Sequence, residues 1–179
     1  VATFVEIVPY DEAWPNCFLE VAETIRRLLG AGIVAVDHVG STAIPGLSAK
    51  PVIDVDVTLR SLSNIPSAGA VLVAAGYEPR GNRYDDDVWA FTNRRSVPKQ
   101  RVYLCPPANE THERRLVFRD YLLAHKEMAA AYGLLKQDLA EKFAYDGDSY
   151  TAAKSRFIDD VIELARKELR DRTRDEHAN

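Results

Sequence analysis

The stretch 52-VIDVDVTL-59 constrains this chain more than any other: a run this rich in valine and isoleucine folds as a buried strand, yet it carries two acids. Side chains alternate along a strand, so Ile53, Val55 and Val57 share one face and Asp54 and Asp56 share the other. Two carboxylates a few ångströms apart repel unless a cation lies between them. One face of the strand therefore belongs to a hydrophobic core, and the other must deal with charge.

What precedes the strand gives those acids a partner. Strand 33-IVAVDHV-39 ends on Gly40-Ser41, and twelve residues separate Ser41 from Asp54. Glycine permits close backbone approach. The amides that follow, with the Ser41 and Thr42 hydroxyls, can donate to phosphate oxygens at a short helix start, and Lys50 adds a positive charge at the mouth. Magnesium suits the carboxylate pair, being a hard ion held by one or two carboxylates with its other positions left to water and substrate phosphates. The segment describes a phosphate seat (Gly40, Ser41, Thr42, Lys50) beside a metal seat (Asp54, Asp56).

Around it the pattern is that of a sheet followed by helices. Residues 3–9 alternate and predict a short strand or extended arm, and Asp11 and Pro15 predict the start of a helix running to about Leu29, closed by Gly30 and Gly32. A short helix over 66–76 follows the second strand. Segments 77–79, 88–93 and 101–105 read as further strands, the last stopped by Pro106 and Pro107. From Asn109 the period becomes helical, predicting helices over about 110–125, 127–144 and 147–170, the last capped by Asp148 or Ser149. The polar end, 171–179, is expected to fray. The expected organisation is one domain over 1–170, with its sheet part over about 1–107 and its helical part over about 108–170.

A net charge of -4 argues against a broad basic surface for nucleic acid while leaving room for a local anion pocket. Cys17 and Cys105 lack metal-ligand spacing and predict small buried hydrophobes in a reducing cytoplasm. The sequence offers no apolar run of membrane-spanning length and no signal-peptide start, so the expected location is cytoplasmic and the expected partner is a small molecule rather than a membrane. It leaves oligomeric state open.

A strand end with Gly-Ser, a loop of about a dozen residues and an Asp-x-Asp strand resembles the nucleotidyltransferase superfamily that includes DNA polymerase beta. The wording of HVGSTAIPGLSAKPVIDVDV, followed by YLCPP and RRLVFRDYLLAH, is similar to the GrpB family, sometimes found fused to dephospho-coenzyme A kinase. The resemblance runs from PYDEAWP to FIDDVIELA. It implies an α/β (α+β) fold: a nucleotidyltransferase-like mixed sheet flanked by helices, with a C-terminal helical region and a site at Ser41, Asp54 and Asp56. The superfamily usually adds a third carboxylate from a neighbouring strand, but 101-RVYLC-105 carries no acid. GrpB proteins commonly show His-Leu-His there, and by register Arg101 and Tyr103 take those places. Arginine cannot ligate magnesium. This makes Arg101 a clamp for phosphate or carboxylate and Tyr103 a stacking or hydrogen-bonding wall.

Further candidates have a structural reading beside the functional one. His38 is a ligand or base, or a hydrogen-bonded structural histidine. Asp85-Asp86-Asp87 reads as a solvated turn rather than a metal ligand set. Arg94, Arg95 and Lys99 either receive an anion with Arg101 or are scattered loop charge. Arg115 and Arg119 lie one turn apart and aim at one anion, or else pair with Glu113 or Asp120 on the surface. Lys136 and Lys154, each four residues after a tyrosine, either reach a triphosphate or snorkel to solvent. Trp14 and Trp89 read as packing residues. The preferred function is a magnesium-dependent enzyme taking ATP or another nucleoside triphosphate, which transfers a nucleotidyl group or activates and ligates a small-molecule acceptor. Its rival is a binding module for nucleotides or phosphoesters with a decayed catalytic set.

Overall fold

The structure, a computed structural model, describes residues 4–84 and 86–177, with side chains given up to 174. Its centre is a five-stranded mixed sheet of β1 (Ile33–Val39), β2 (Val52–Leu59), β3 (Glu78–Asn82), β4 (Trp89–Asn93) and β5 (Lys99–Cys105), in the order β1-β2-β5-β4-β3. Strands β2 and β5 run parallel, and the other neighbours are antiparallel. The parallel pair needs a crossover, and α2 (Ile65–Ala74) lies within it.

One face of the sheet carries Ile53, Val55, Val57, Val102 and Leu104, all buried in the main core. Two helices cover it. The first, α1 (Trp14–Leu29), buries Trp14, Val21, Ala22 and Ile25. The second, α2, brings Gly69 so close to Phe91 that an added Cβ would sit 2.9 Å from its ring. The other face carries the acids and meets α3 (Glu110–Ala124). The remaining helices are α4 (Lys126–Lys142), α5 (Gly147–Ala153) and α6 (Ser155–His177). A second core, with Leu122, Tyr132 and Val161 from the helices and Ile44 and Leu47 from the β1–β2 loop, fixes that loop against the C-terminal region.

Several expectations change. The segment expected as a first strand makes only an isolated bridge, Val8 to Ala49, because a single edge contact gives it no ladder; residues 1–3 lie outside the described part. Asp11 does not cap α1 directly. Its Oδ1 accepts the Ala13 amide at 2.9 Å, which sets up the turn before Pro15. The expected helix 147–170 is two helices, capped by Asp146, whose carboxylate accepts the Ser149 amide at 3.0 Å. Residues 171–177, expected to fray, continue α6. Trp14 packs as expected, whereas Trp89, the first residue of β4, is 38% exposed. Cys105 is buried and Cys17 half-buried. Among the described residues no helix is long and apolar enough to cross a membrane.

Leu104 is fully buried between β2, β4 and the covering helices. Leu104→Ala is expected to cost about 2–5 kcal/mol in urea denaturation, read as a lower midpoint with little change in slope.

Candidate functional site

Strand register builds the site. Asp37 on β1 stands opposite Asp56 on β2, and across the parallel pair Asp54 faces Arg101 and Asp56 faces Tyr103. Three acids, an arginine and a tyrosine thus share one patch of one face. Asp56 is 1% exposed, a position a carboxylate holds only when it is fully partnered. Arg115 Nη1 donates to its Oδ1 at 2.6 Å, and His112 Nδ1 donates to its Oδ2 at 2.9 Å. Arg101 Nη1 donates to Asp54 Oδ1 at 3.2 Å.

These partners arrive on α3 because His112, Arg115 and Arg119 recur at helical spacing on one face. Arg119 Nη1 donates to the His38 carbonyl at 3.0 Å and lies 3.9 Å from Asp37, while its Nε donates to Asp120 at 2.7 Å. Asn109 caps the helix by accepting the His112 amide at 2.9 Å. Asp86 accepts the Thr111 amide at 2.9 Å, and those hydrogen bonds hold its carboxyl below the usual range. This member of the aspartate triplet lies in the turn between β3 and β4, and from there its carboxylate also anchors the start of α3; Asp85 is outside the described residues. The Arg115 guanidinium lies 3.9 Å from the Tyr103 ring centroid and 5.1 Å from that of Tyr84, so the Tyr103 ring is taken up by a protein cation, and Tyr103 is buried.

Beside this patch lies a polar cleft of about 150 Å³, lined by Ser41, Lys50, Asp54, Arg101, Lys136, Lys154 and neighbours. Gly40 makes it possible. With φ +74° and ψ -174° it holds a conformation that other residues rarely adopt, and an added Cβ would sit 2.8 Å from Asp54 Oδ2. Ser41 opens a short 3-10 turn, Ser41–Ala43. Thr42, expected to face a phosphate, is turned inward, where its hydroxyl donates to the Val52 carbonyl at 3.2 Å and meets His38 Nε2 at 3.0 Å. His38 stacks on Phe18, and burial pushes it down to about 4. It is a neutral, structural histidine at ordinary pH.

Four cations meet one carboxylate in the cleft. Lys50 and Lys154 lie 4.4 and 4.2 Å from the Tyr150 ring centroid. Lys136, only 2% exposed, donates to the Ser48 carbonyl and lies 4.9 Å from the Tyr132 ring centroid. Burial, reinforced by Lys154, pushes Lys136 down to about 7, and burial with Lys50 nearby pushes Lys154 down to about 8. Among the described residues, Lys50, Lys136 and Lys154 form no ion pair with a carboxylate. Burial also raises the Asp54 carboxyl, with Arg101 opposing. A neighbouring groove of about 240 Å³ shares Lys50 and Arg101 with this wall and adds Arg94 and Lys99; Arg95 is exposed in the turn that follows β4.

As they are partnered here, Asp54 and Asp56 do not present the donor set of a two-carboxylate magnesium seat. Both oxygens of Asp56 are already met by nitrogen donors, and Asp54 lies between Arg101 and the Gly40 backbone. A metal at either would stand beside a guanidinium, and like unit charges about 4 Å apart cost on the order of 4 kcal/mol near a protein surface. Among the described residues no group of three or more His, Cys, Asp or Glu side chains is placed to hold a metal. The acid missing from β5 has a counterpart on the other flank of β2, Asp37, where it engages Arg119 and His112. Asp37 and His112 went unnoticed in the sequence. The parity argument that singled out Asp54 also applies to an acid in 33-IVAVDHV-39, whereas nothing but helical spacing pointed to His112.

Two substitutions check this geometry. Lys136→Met keeps the stem and removes a charge that burial opposes. Because the folded lysine loses its proton near 7 and the unfolded one near 10.5, the unfolded chain binds more protons between those values, so wild-type stability rises with pH there. At pH 7 the variant is expected to be more stable by about 1 kcal/mol or more, and chemical denaturation should show that gap closing by pH 10. Gly40→Ala is expected to lose about 1–3 kcal/mol by the same measurement.

The family model described as GrpB protein matches residues 4–164. The UPF0157 protein YqkA of Bacillus subtilis is 34% identical over 163 residues, covering 91% of this chain and 48% of its own, so the chain spans about half the length of that relative. The crystal structure of conserved protein GrpB from Enterococcus faecalis superposes with a TM-score of 0.81 at 28% identity, covering 92% of this chain and 99% of that one. The Cid1 poly(U) polymerase, solved as an H336N mutant bound to MgATP, shares the fold at a TM-score of 0.57 and 12% identity, covering 82% of this chain and 50% of that one. With its mixed sheet, its Gly-Ser turn beside paired strand acids and this match across most of its length, the chain belongs to the GrpB family and has a nucleotidyltransferase-like fold.

Proposed function

We propose that this chain binds the phosphate chain of a nucleotide in the cleft between the Gly40-Ser41 turn and α4–α5. The observation that carries this reading is the charge imbalance of the cleft: Lys50, Arg101, Lys136 and Lys154 converge on a space that holds a single carboxylate. A lysine as buried as Lys136, with no acid to balance it, gains most from an anion that enters and supplies the missing charge. Ser41, which lines the same cleft, adds a neutral hydroxyl. The fold of Cid1, a protein solved with MgATP, makes a nucleoside triphosphate the first ligand to test.

Of the two functions the sequence suggests, the geometry favours the binding module. Nucleotidyl transfer or ATP-dependent ligation to a small-molecule acceptor needs a carboxylate able to act on the incoming group, and guanidinium groups hold Asp54 and Asp56.

Isothermal titration with ATP is expected to show one site per chain. Lys154→Ala should weaken it about tenfold or more, the loss of one charge-assisted contact. Binding an anion favours the charged amines, so affinity should fall as pH rises through 7 and 8, where Lys136 and Lys154 lose their protons. Absence of ATP binding at millimolar concentration, with or without magnesium, overturns the proposal.

A further inference from the structure

We infer that this site recognises phosphate without a divalent metal, with Arg101 and Arg115 taking over the neutralisation of strand acids that a metal would otherwise supply. The inference rests on the reading of the cleft as a phosphate seat and names the ionic form of the ligand that the seat takes.

The charges on the acidic face argue for it. Asp37, Asp54 and Asp56 are met by Arg119, Arg101 and Arg115 in that order, with His112 lying between Asp37 and Asp56. Each acid has a guanidinium within salt-bridge distance, so no negative charge is left over to draw in a cation. The two arginines nearest the cleft differ in freedom. Arg115 is held by the buried Asp56 and stacked over Tyr103, which makes it a fixed part of the framework. Arg101 is 41% exposed at its side chain and makes one longer bond to Asp54, which is itself 21% exposed. It also lines both the phosphate cleft and the neighbouring groove. It can keep Asp54 and still present its remaining N–H groups to a ligand oxygen, since a guanidinium carries five donors.

The ligand then meets four basic side chains and a single carboxylate that Arg101 already pairs. A polyphosphate that arrives with magnesium has already spent part of its charge on the metal, and the metal is repelled by Lys50, Lys136, Lys154 and Arg101. Magnesium therefore competes with the protein for the phosphates instead of bridging the two.

The test is titration of the full chain with ATP, and with inorganic triphosphate as a probe lacking the nucleoside, once in EDTA and once in excess magnesium. Affinity in EDTA is expected to be at least several-fold higher for both probes. Binding that appears only with magnesium overturns this inference while leaving the nucleotide reading in place; no binding under either condition overturns that reading and this one with it. A second measurement needs no nucleotide. Manganese titrated into the wild-type protein and followed by electron paramagnetic resonance is expected to stay free, and stoichiometric uptake of one ion per chain overturns the inference. Arg101→Gln, with its fold verified by circular dichroism and thermal unfolding, is expected to weaken metal-free ATP binding about tenfold. Unchanged affinity removes Arg101 from the site and overturns its assigned part.

Discussion

The buried carboxylate of Asp56 is the constraint on which the rest of the acidic face depends. A charge taken out of water is tolerated only when hydrogen-bonded donors replace the water, and here both oxygens are met from α3. That requirement fixes the axial position of α3 over β1 and β2, because His112 and Arg115 must reach the same residue. Arg119, one turn further, then falls on the His38 carbonyl. Asp86 and Asn109 hold the start of the helix from the other end. The helix is sited by polar contacts at its first half and by Leu122 in the second core at its end.

The cleft next to this framework has the opposite character. The framework balances each charge, whereas the cleft gathers amines that lack acids and shelters them against tyrosine rings. A tyrosine face attracts a cation but offsets only part of its lost hydration, so Lys136 and Lys154 hold their protons less firmly than free lysines. Such an arrangement costs stability when empty and recovers it when an anion enters. Gly40 links the two regions, since its backbone lies directly against Asp54 and leaves no room for a side chain.

Much of this was legible in the chain, and particular residues show why. Alternation in 52-VIDVDVTL-59 placed Ile53, Val55 and Val57 in the core and the two acids on the opposite face, because strand parity is a local property. The tyrosine-lysine spacing on α4, and from α5 to the Lys154 that ends it, was visible for the same reason, and both pairs meet. Local pattern misjudged the ends, where α6 continues through 177 and where residues 4–9 find a single bridge instead of a strand.

By itself the sequence determined the order of elements, the two-faced strand and the glycine-serine turn, all of which follow from periodicity and backbone freedom within a few residues. Only the tertiary structure decided what neutralises the acids. Whether a carboxylate meets a metal or a guanidinium depends on which helix crosses the sheet and in what register, and α3 approaches from more than fifty positions away in the chain. Charge pairing over such a span is a property of the packed molecule: of the two aspartates that read as a metal seat, Asp56 is met by α3 and Asp54 by an arginine of the neighbouring strand.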